Sequence, residues 1–231
     1  MLLRNRKFER SEPHRDAKKV FIFCEGLKRE KQYFQYFLKI DSRINLIIHP
    51  FSAESDNSPH GLLKTAQQTL NQGQYDYRPE DHVFLVFDKD PDRSHSREPQ
   101  ISAIFDTCRE EPNWNATESN PCFEVWLLYH VYSEVVPFEG DEQSSNWKKH
   151  LNTQVVGGFD SRKMPILLSR ATQHAKANYH PDSHRPEKGQ TQLFKFGEVM
   201  LPYVEEKLYQ GLSHDELEAL AQQYMSEESK R

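Results

Sequence analysis

The sequence predicts an α/β fold in which a parallel sheet is flanked by helices and followed by a C-terminal helical region. Short β-prone runs alternate with amphipathic segments in the order strand, helix, strand, helix, strand. Two of these runs, Val20 to Cys24 and Val83 to Phe87, stop abruptly at carboxylates. Beyond Val136 the periodic segments have helical spacing. Consecutive strand–helix–strand units imply parallel strands joined by right-handed crossovers.

The bulk composition is that of a folded globular chain. The 231 residues suffice for one large domain or for a domain with an appendage. Hydrophobic residues make up 36% and aromatic residues 12% of the chain, and aromatic side chains bury large areas. The net charge of -5 does not indicate a strongly basic nucleic-acid-binding domain. Two stretches, from Arg4 to Lys19 and from Arg162 to Lys188, are locally basic, which solvated helix faces would also explain.

The cysteine pattern and the absence of long apolar runs predict a cytoplasmic protein. Cys24, Cys108 and Cys122 have no metal-type spacing, and their odd number argues against a disulfide framework. No apolar run approaches the length of a membrane span. The N-terminus lacks the apolar core of a secretory signal. We therefore expect a reducing compartment and no membrane partner.

The elements are predicted in chain order. Strands are assigned from branched and aromatic runs bounded by polar turns, and they span Lys19 to Cys24, Ile44 to Phe51, Asp81 to Phe87 and Asn113 to Ser119. Helices are assigned from apolar residues spaced three and four apart, and they span Lys28 to Ile40, Gly61 to Leu70, Pro99 to Glu110, Cys122 to Tyr132, Asn146 to Leu151, Ser161 to Asn178, Gln192 to Tyr209 and Ser213 to Tyr224. Ser58-Pro59 favours the start of the second helix, and Ser213 to Glu216 has the pattern of a capping box. Asn120 is expected to cap the fourth helix, with Pro121 at its first position. Pro202 is expected to kink or split the helix that contains it.

This succession divides the chain into three parts. Residues 1–17 form a flexible basic arm, residues 18–132 an α/β core, and residues 133–231 a mostly helical region packed on that core. The polar composition of the arm and its Pro13 support the first assignment.

Carboxylates at two strand ends are the strongest chemical signal. Glu25 follows the first strand, and Asp88, Asp90 and Asp92 follow the third. Because the carboxyl ends of parallel strands share one edge, these acids are expected to converge there. Carboxylates in one crevice repel one another unless a cation lies between them. We therefore predict a site for Mg²⁺, or Mn²⁺, built from Glu25, Asp88 and Asp90, with Asp92 in a peripheral supporting position.

Simpler explanations exist for each of these acids. Glu25 alone fits a surface carboxylate in a strand-to-helix turn, and Asp-x-Asp alone fits a polar turn. An EF-hand is excluded because Arg93 and Pro99 occupy the positions that require Gly and an acid. The combination of both strand ends within one βαβαβ frame is more specific than either part.

The combination resembles the Toprim fold, the catalytic domain of topoisomerases, primases and OLD-type nucleases, in which a Glu follows the first strand and Asp-x-Asp the third. Over most of its length, the chain more closely resembles the RloB-like family of bacterial defence and restriction-modification loci. The residues that carry this resemblance are Phe23 to Gly26, Glu30, Tyr33-Phe34, Phe87 to Asp90 and Ser119 to His130.

The resemblance adds candidate residues and a function. It implies a metal- or water-binding role for Glu124, with Asn120 on the same helix face, and a supporting position for His130. A satisfied helix acid and a structural histidine are the alternatives. It further implies a Mg²⁺-dependent nuclease that cleaves DNA or RNA, including tRNA, in anti-phage defence or abortive infection. An AAA- or ABC-type ATPase is the implied partner. The alternative function is a non-enzymatic regulatory or adaptor subunit of such an ATPase.

Overall fold

A computed structural model describes residues 9–49, 56–73, 75–90, 94–134, 138, 144–180 and 184–226. Its sheet confirms the predicted α/β class. The strands are β1 (Lys18–Cys24), β2 (Ile44–Ile48), β3 (His82–Asp88) and β4 (Trp114–Ser119). They form one parallel sheet in the order β2-β1-β3-β4. The chain thus adds β2 on one side of β1 and then crosses over to build β3 and β4 on the other side.

Helices follow the strands and continue alone after β4. They are α1 (Arg29–Gln35), α2 (Pro59–Asn71), α3 (Ser94–Glu110), α4 (Glu124–Leu128), α5 (Ser144–Gln154), α6 (Leu168–Ala177), α7 (Phe194–Tyr209) and α8 (His214–Tyr224). A short 3-10 helix, Met164–Leu167, precedes α6. Ser58 caps α2, and Ser213 with Glu216 forms the capping box of α8, as the sequence patterns predict. Among the described helices, none combines the length and the apolar character that a membrane crossing requires.

The described residues separate into two compact units. The sheet unit contains those of Arg10–Phe87 and Arg93–Thr117, and the helical unit contains Glu9 and those of Asp88–Asp92 and Glu118–Arg231. This division differs from the predicted boundaries at residues 17 and 132. It does so because the chain crosses between units at the ends of β3 and β4, and because Asp88 to Asp90 belong with the segment after β4.

The core of the sheet unit explains why its strands are almost continuously apolar. Val20 to Cys24 in β1 are all buried, as expected for a central parallel strand that is covered on both faces. Phe21, Phe23 and Leu85 belong to one buried cluster with residues of α2 and α3. Tyr33 and Phe34 of α1 are buried as well, with their rings packed edge to face.

The described part of the predicted arm is anchored. Ser11 and His14 donate their backbone N–H groups to the carbonyls of Lys39 and Ser42, each at 2.8 Å. The Arg10 guanidinium donates to the carbonyl of Tyr36 at 3.0 Å. These carbonyls follow α1, where they lack helical partners. The polar composition of the arm did not reveal this docking, because its partners lie more than twenty residues away in sequence.

Several helices differ from their predicted extents. Helix α3 begins at Ser94 and runs through Pro99, which was predicted as its start. Helix α7 is continuous through Pro202, where a kink or break was expected. Helix α4 covers only Glu124–Leu128, although Cys122 to Tyr132 was predicted, and its N-cap position is Phe123 rather than Asn120.

Candidate functional site

The two predicted strand ends lie on neighbouring strands. Glu25 directly follows β1, and its backbone N–H donates to the Val86 carbonyl of β3 at 3.0 Å. Asp88 is the last residue of β3. β1 and β3 flank the point at which the strand order reverses. In open α/β sheets, ligands bind outside the carboxyl ends of the strands at such a reversal. Glu25 thus follows the end of β1, and Asp88 ends the neighbouring strand β3.

Within the sheet unit, Glu25 forms an ion pair that the sequence did not suggest. Both of its carboxylate oxygens accept from the Arg97 guanidinium, at 2.8 and 2.7 Å. The Arg97 side chain is only 6% exposed and that of Glu25 23% exposed. The helix predicted from Pro99 onwards did not include Arg97, whereas this residue lies near the start of α3. No local feature of the sequence indicates this ion pair, because its partners are 72 residues apart.

A second carboxylate of the sheet unit lies beside the turn that carries Glu25. A Cβ atom added to Gly26 would be only 1.8 Å from Oε2 of Glu30, so this glycine provides the space for the Glu30 carboxylate. Burial, followed by the Glu30 charge, raises the pKa of the Cys24 thiol to about 12. Glu30 was part of the family resemblance but received no role from the sequence.

The Asp-x-Asp segment is held by the segment that follows β4, within the helical unit. Lys89 donates its backbone N–H to the Ser119 carbonyl at 2.9 Å, and Asp90 donates to the Pro121 carbonyl at 3.2 Å. Asp90 has a φ of +47°, a conformation that aspartate tolerates better than most residues. Asp88 to Asp90 thus have a fixed backbone next to the motif that carries the family resemblance.

Asp88 and Glu124 both act on one buried thiol. Burial raises the pKa of Cys122 well above its usual range, and the charges of Glu124 and Asp88 raise it further. Glu124 is the first residue of α4 and is 2% exposed. Carboxylate oxygens are the hard ligands that Mg²⁺ prefers.

Asn120 has a structural role that the sequence did not predict. It precedes Pro121 in a cis peptide and is not part of a helix. Its side-chain amide donates to the Pro186 carbonyl at 2.9 Å, and its backbone N–H donates to Gln190 at 3.0 Å. The prediction that Asn120 and Glu124 share a helix face is therefore wrong. The backbone groups of Ser119 to Pro121 are engaged by other segments, so the helix starts only after them.

Glu118 is a buried acid that the sequence analysis missed. Its side chain is fully buried and forms a two-point ion pair with Arg185, one bond of which is Nε to Oε2 at 2.8 Å. Gln192 donates its backbone N–H to the Glu118 carbonyl, and Ser119 and Thr191 share a hydroxyl hydrogen bond of 2.7 Å. These contacts hold the segment from Arg185 to Gln192 beside the end of β4. Most of this segment lies between two predicted helices. A carboxylate near the end of a predicted strand carries no local sign of such a partner.

His130 occupies an environment that favours the structural alternative. It is fully buried, its Nδ1 lies 3.1 Å from the Trp126 carbonyl, and its ring packs against Trp126 and Phe159. Burial lowers its pKa to about 3, so the ring is neutral at physiological pH. Asp92, the remaining predicted position, lies outside the described residues.

The carboxylates of the helical unit bear on the predicted Mg²⁺ site. In the described part of the chain, no group of three or more His, Cys, Asp or Glu side chains is arranged to hold a metal ion. Mg²⁺, however, is commonly held by one or two carboxylates, with water and substrate phosphates completing its shell. Asp88 and Glu124 are two such carboxylates in the helical unit.

Comparisons with known proteins identify the family. Searches among curated proteins and among solved structures found no match. A family model described as RloB-like protein matches residues 20–199, which is more than half of the chain. The matched range includes Glu25, Asp88, Asp90 and Glu124. The chain belongs to the RloB-like protein family.

Proposed function

We propose that this protein is a Mg²⁺-dependent nuclease that hydrolyses phosphodiester bonds of DNA or RNA. The observation that carries the proposal is the placement of Glu25 and Asp88 at the ends of the two strands that flank the strand-order reversal. An acid at each of these positions fits a cation-dependent reaction on an anionic substrate. This arrangement also supports a Toprim-type core, in which a Glu follows the first strand and Asp-x-Asp the third.

The proposed roles follow from the chemistry of carboxylates. When bound, Mg²⁺ supplies charge neutralisation and polarises the phosphate. Asp88 and Asp90 offer oxygen ligands, and their backbone is held in place by Ser119 and Pro121. Glu124, which is 2% exposed at the start of α4, orients water or adds a ligand. Glu25 holds or accepts a proton, or provides a further ligand, on the neighbouring strand.

The biological setting is part of the proposal. Membership of the RloB-like family supports a role in anti-phage defence or abortive infection, with an ATPase as partner and a nucleic acid such as tRNA among the substrates. Lys and Arg side chains would supply the phosphate contacts, so binding of the substrate should weaken as salt rises.

A cleavage assay tests the site assignment. Purified wild-type protein is incubated with labelled DNA, RNA and tRNA in the presence of Mg²⁺ or Mn²⁺, and its activity is compared with that of Glu25→Ala and Asp88→Ala. We expect a loss of about a hundredfold or more in each variant, because each removes a group that acts on the reacting phosphate. Asp106→Asn is the matched control, since Asp106 is a 63% exposed acid on α3. Equal cleavage by all four proteins would refute the assignment.

A non-enzymatic regulatory subunit is the second candidate. It is favoured by the absence, among the described residues, of a ready-made group of three metal ligands and by the engagement of both Glu25 oxygens by Arg97. Metal binding without any cleavage, even with the partner ATPase added, would establish this function in place of the nuclease.

A further inference from the structure

Arg97 makes a two-point contact with Glu25 of the proposed site. Its two terminal nitrogens bind the two oxygens of Glu25 at 2.8 and 2.7 Å, the paired geometry in which a guanidinium matches a carboxylate. Seventy-two positions separate the partners, so the pair joins the end of β1 to the start of α3. Both residues belong to the sheet unit.

The surroundings of the pair make its electrostatics stronger than those of a surface ion pair. With side-chain exposures of 6% for Arg97 and 23% for Glu25, solvent screens the interaction only in part. By comparison, Arg109 at the other end of α3 is 71% exposed and pairs with an exposed acid. The charge of Arg97 therefore acts on Glu25 much more strongly than that of Arg109 acts on Asp106.

We propose that Arg97 competes with a divalent cation for the carboxylate of Glu25 and so sets the metal affinity of the site. The inference rests on the proposed function, because it assumes that Glu25 takes part in metal binding. For an oxygen of Glu25 to bind a cation, its hydrogen bond from Arg97 must lengthen, or the oxygen must interact with Arg97 and the cation at the same time. The positive charge of Arg97 also lowers the negative potential that attracts a cation. A metal ion therefore binds only when its attraction to Glu25, alone or together with substrate phosphate, exceeds the attraction between Glu25 and the Arg97 guanidinium.

Mn²⁺ binding to the full chain tests this inference without reference to cleavage. Free Mn²⁺ is measured by electron paramagnetic resonance during titration of wild type, Arg97→Gln and the matched control Arg109→Gln. We expect Arg97→Gln to bind Mn²⁺ about tenfold more tightly than wild type, because a nearby cation is removed. Arg109→Gln should bind within about twofold of wild type, since an exposed and distant charge is screened.

Two further variants separate competition from a structural role. Arg97→Lys keeps the charge but loses the paired geometry, and we expect its Mn²⁺ affinity to lie between those of wild type and Arg97→Gln. In a Glu25→Gln background, Arg97→Gln should tighten Mn²⁺ binding less than it does when Glu25 is present, since the contested carboxylate is gone and only the effect of the Arg97 charge remains. This double variant also removes both charges together, so it remains informative if Arg97→Gln alone fails to fold.

The outcomes distinguish failure of the inference from failure of the proposed function. Mn²⁺ binding that requires Glu25 but is unchanged or weakened in Arg97→Gln overturns the inference alone. Absence of Mn²⁺ binding in wild type, Arg97→Gln and Arg97→Lys overturns the metal site itself. Tighter binding in Arg97→Gln that persists in full without Glu25 shows that Arg97 does not act through that carboxylate.

Discussion

His130 lies between the rings of Trp126 and Phe159 in the helical unit, and its charge state is set by burial. Burial, with smaller contributions from His174 and Arg170, lowers its pKa to about 3 from an ordinary value of 6.5. The unfolded chain therefore binds a proton at His130 at a higher pH than the folded chain does. The contribution of His130 to stability is complete above pH 6.5 and is lost as the pH falls towards about 3.

A substitution at His130 should change how stability depends on pH. Replacing it by leucine removes one proton-linked group, so the free energy of unfolding of His130→Leu should fall less steeply with acidification below pH 6.5. The difference in slope between wild type and variant should approach about 1.4 kcal/mol per pH unit at most. Urea denaturation at several pH values between about 4 and 8, a range that includes the upper part of that interval, measures it. Parallel curves for the two proteins would show that His130 is not buried as a neutral ring.

At the scale of elements, the packing of α6 against α7 depends on a glycine, which has no side chain beyond a hydrogen. A Cβ atom at Gly197 of α7 would lie 1.8 Å from Oγ1 and 2.9 Å from Cβ of Thr172 in α6. Thr172 is buried, and its hydroxyl donates to the Leu168 carbonyl at 2.7 Å. The glycine thus allows the two helices to approach at this point, and the threonine occupies the space that results.

Gly197→Ala should therefore destabilise the protein although alanine favours helices. On an exposed helix this change stabilises by about 1 kcal/mol. Here we expect a loss of about 1–3 kcal/mol, because the added methyl group overpacks the contact. Chemical denaturation of Gly197→Ala, of Thr172→Ala and of the double variant gives the coupling free energy between the two positions. The double variant should be more stable than the sum of the single changes predicts, and simple additivity would contradict the close contact.

The segment after β4 shows the limit of local patterns at the same scale. Asn120 followed by Pro121 is a good sequence signal for a helix start. The backbone groups of Ser119 to Pro121 are nevertheless bonded to Lys89, Asp90 and residues of the 189–190 segment. These contacts between distant segments override the local preference and delay α4 to Glu124.

At the scale of the whole molecule, the buried pair of Glu118 and Arg185 ties together positions 67 residues apart. The Glu118 side chain is fully buried, whereas that of Arg185 is 25% exposed. A carboxylate removed from water needs a charged partner and hydrogen bonds to offset the loss of hydration. The order of the segment from Arg185 to Gln192 therefore depends on this pair as well as on its backbone bonds to β4.

Removal of the guanidinium should be among the most damaging single changes. We expect Arg185→Met to lower the free energy of unfolding by about 3–5 kcal/mol, because the Glu118 charge stays buried without that partner. Adding Glu118→Gln should restore part of the loss, since a neutral amide is less costly to bury. Thermal and urea unfolding of both proteins measure these effects. If Glu118→Gln worsened Arg185→Met, the ion pair would not be the cause.

The predictions from sequence succeeded where the signal was local. The four strands and the caps of α2 and α8 arise from neighbouring residues, and the structure confirms them. The positions of Glu25 and Asp88 followed from where two apolar runs end. The roles given to Glu25, Asp88, Asp90 and Glu124 in metal binding remain predictions.

The sequence by itself determined the α/β class, the strand ends that carry acids and the family resemblance. Each of these depends on residue types within a few positions, where alternating or helical spacing and turn residues act directly on the backbone. Only the tertiary structure decided that Arg97 holds Glu25, that Arg185 holds Glu118 and that Asn120 contacts Pro186 rather than capping a helix. These partners are separated by 72, 67 and 66 residues, and such contacts form only after the chain has closed long loops. No local pattern encodes which distant charge will meet a given carboxylate, so the partners of the proposed site emerged only with the fold.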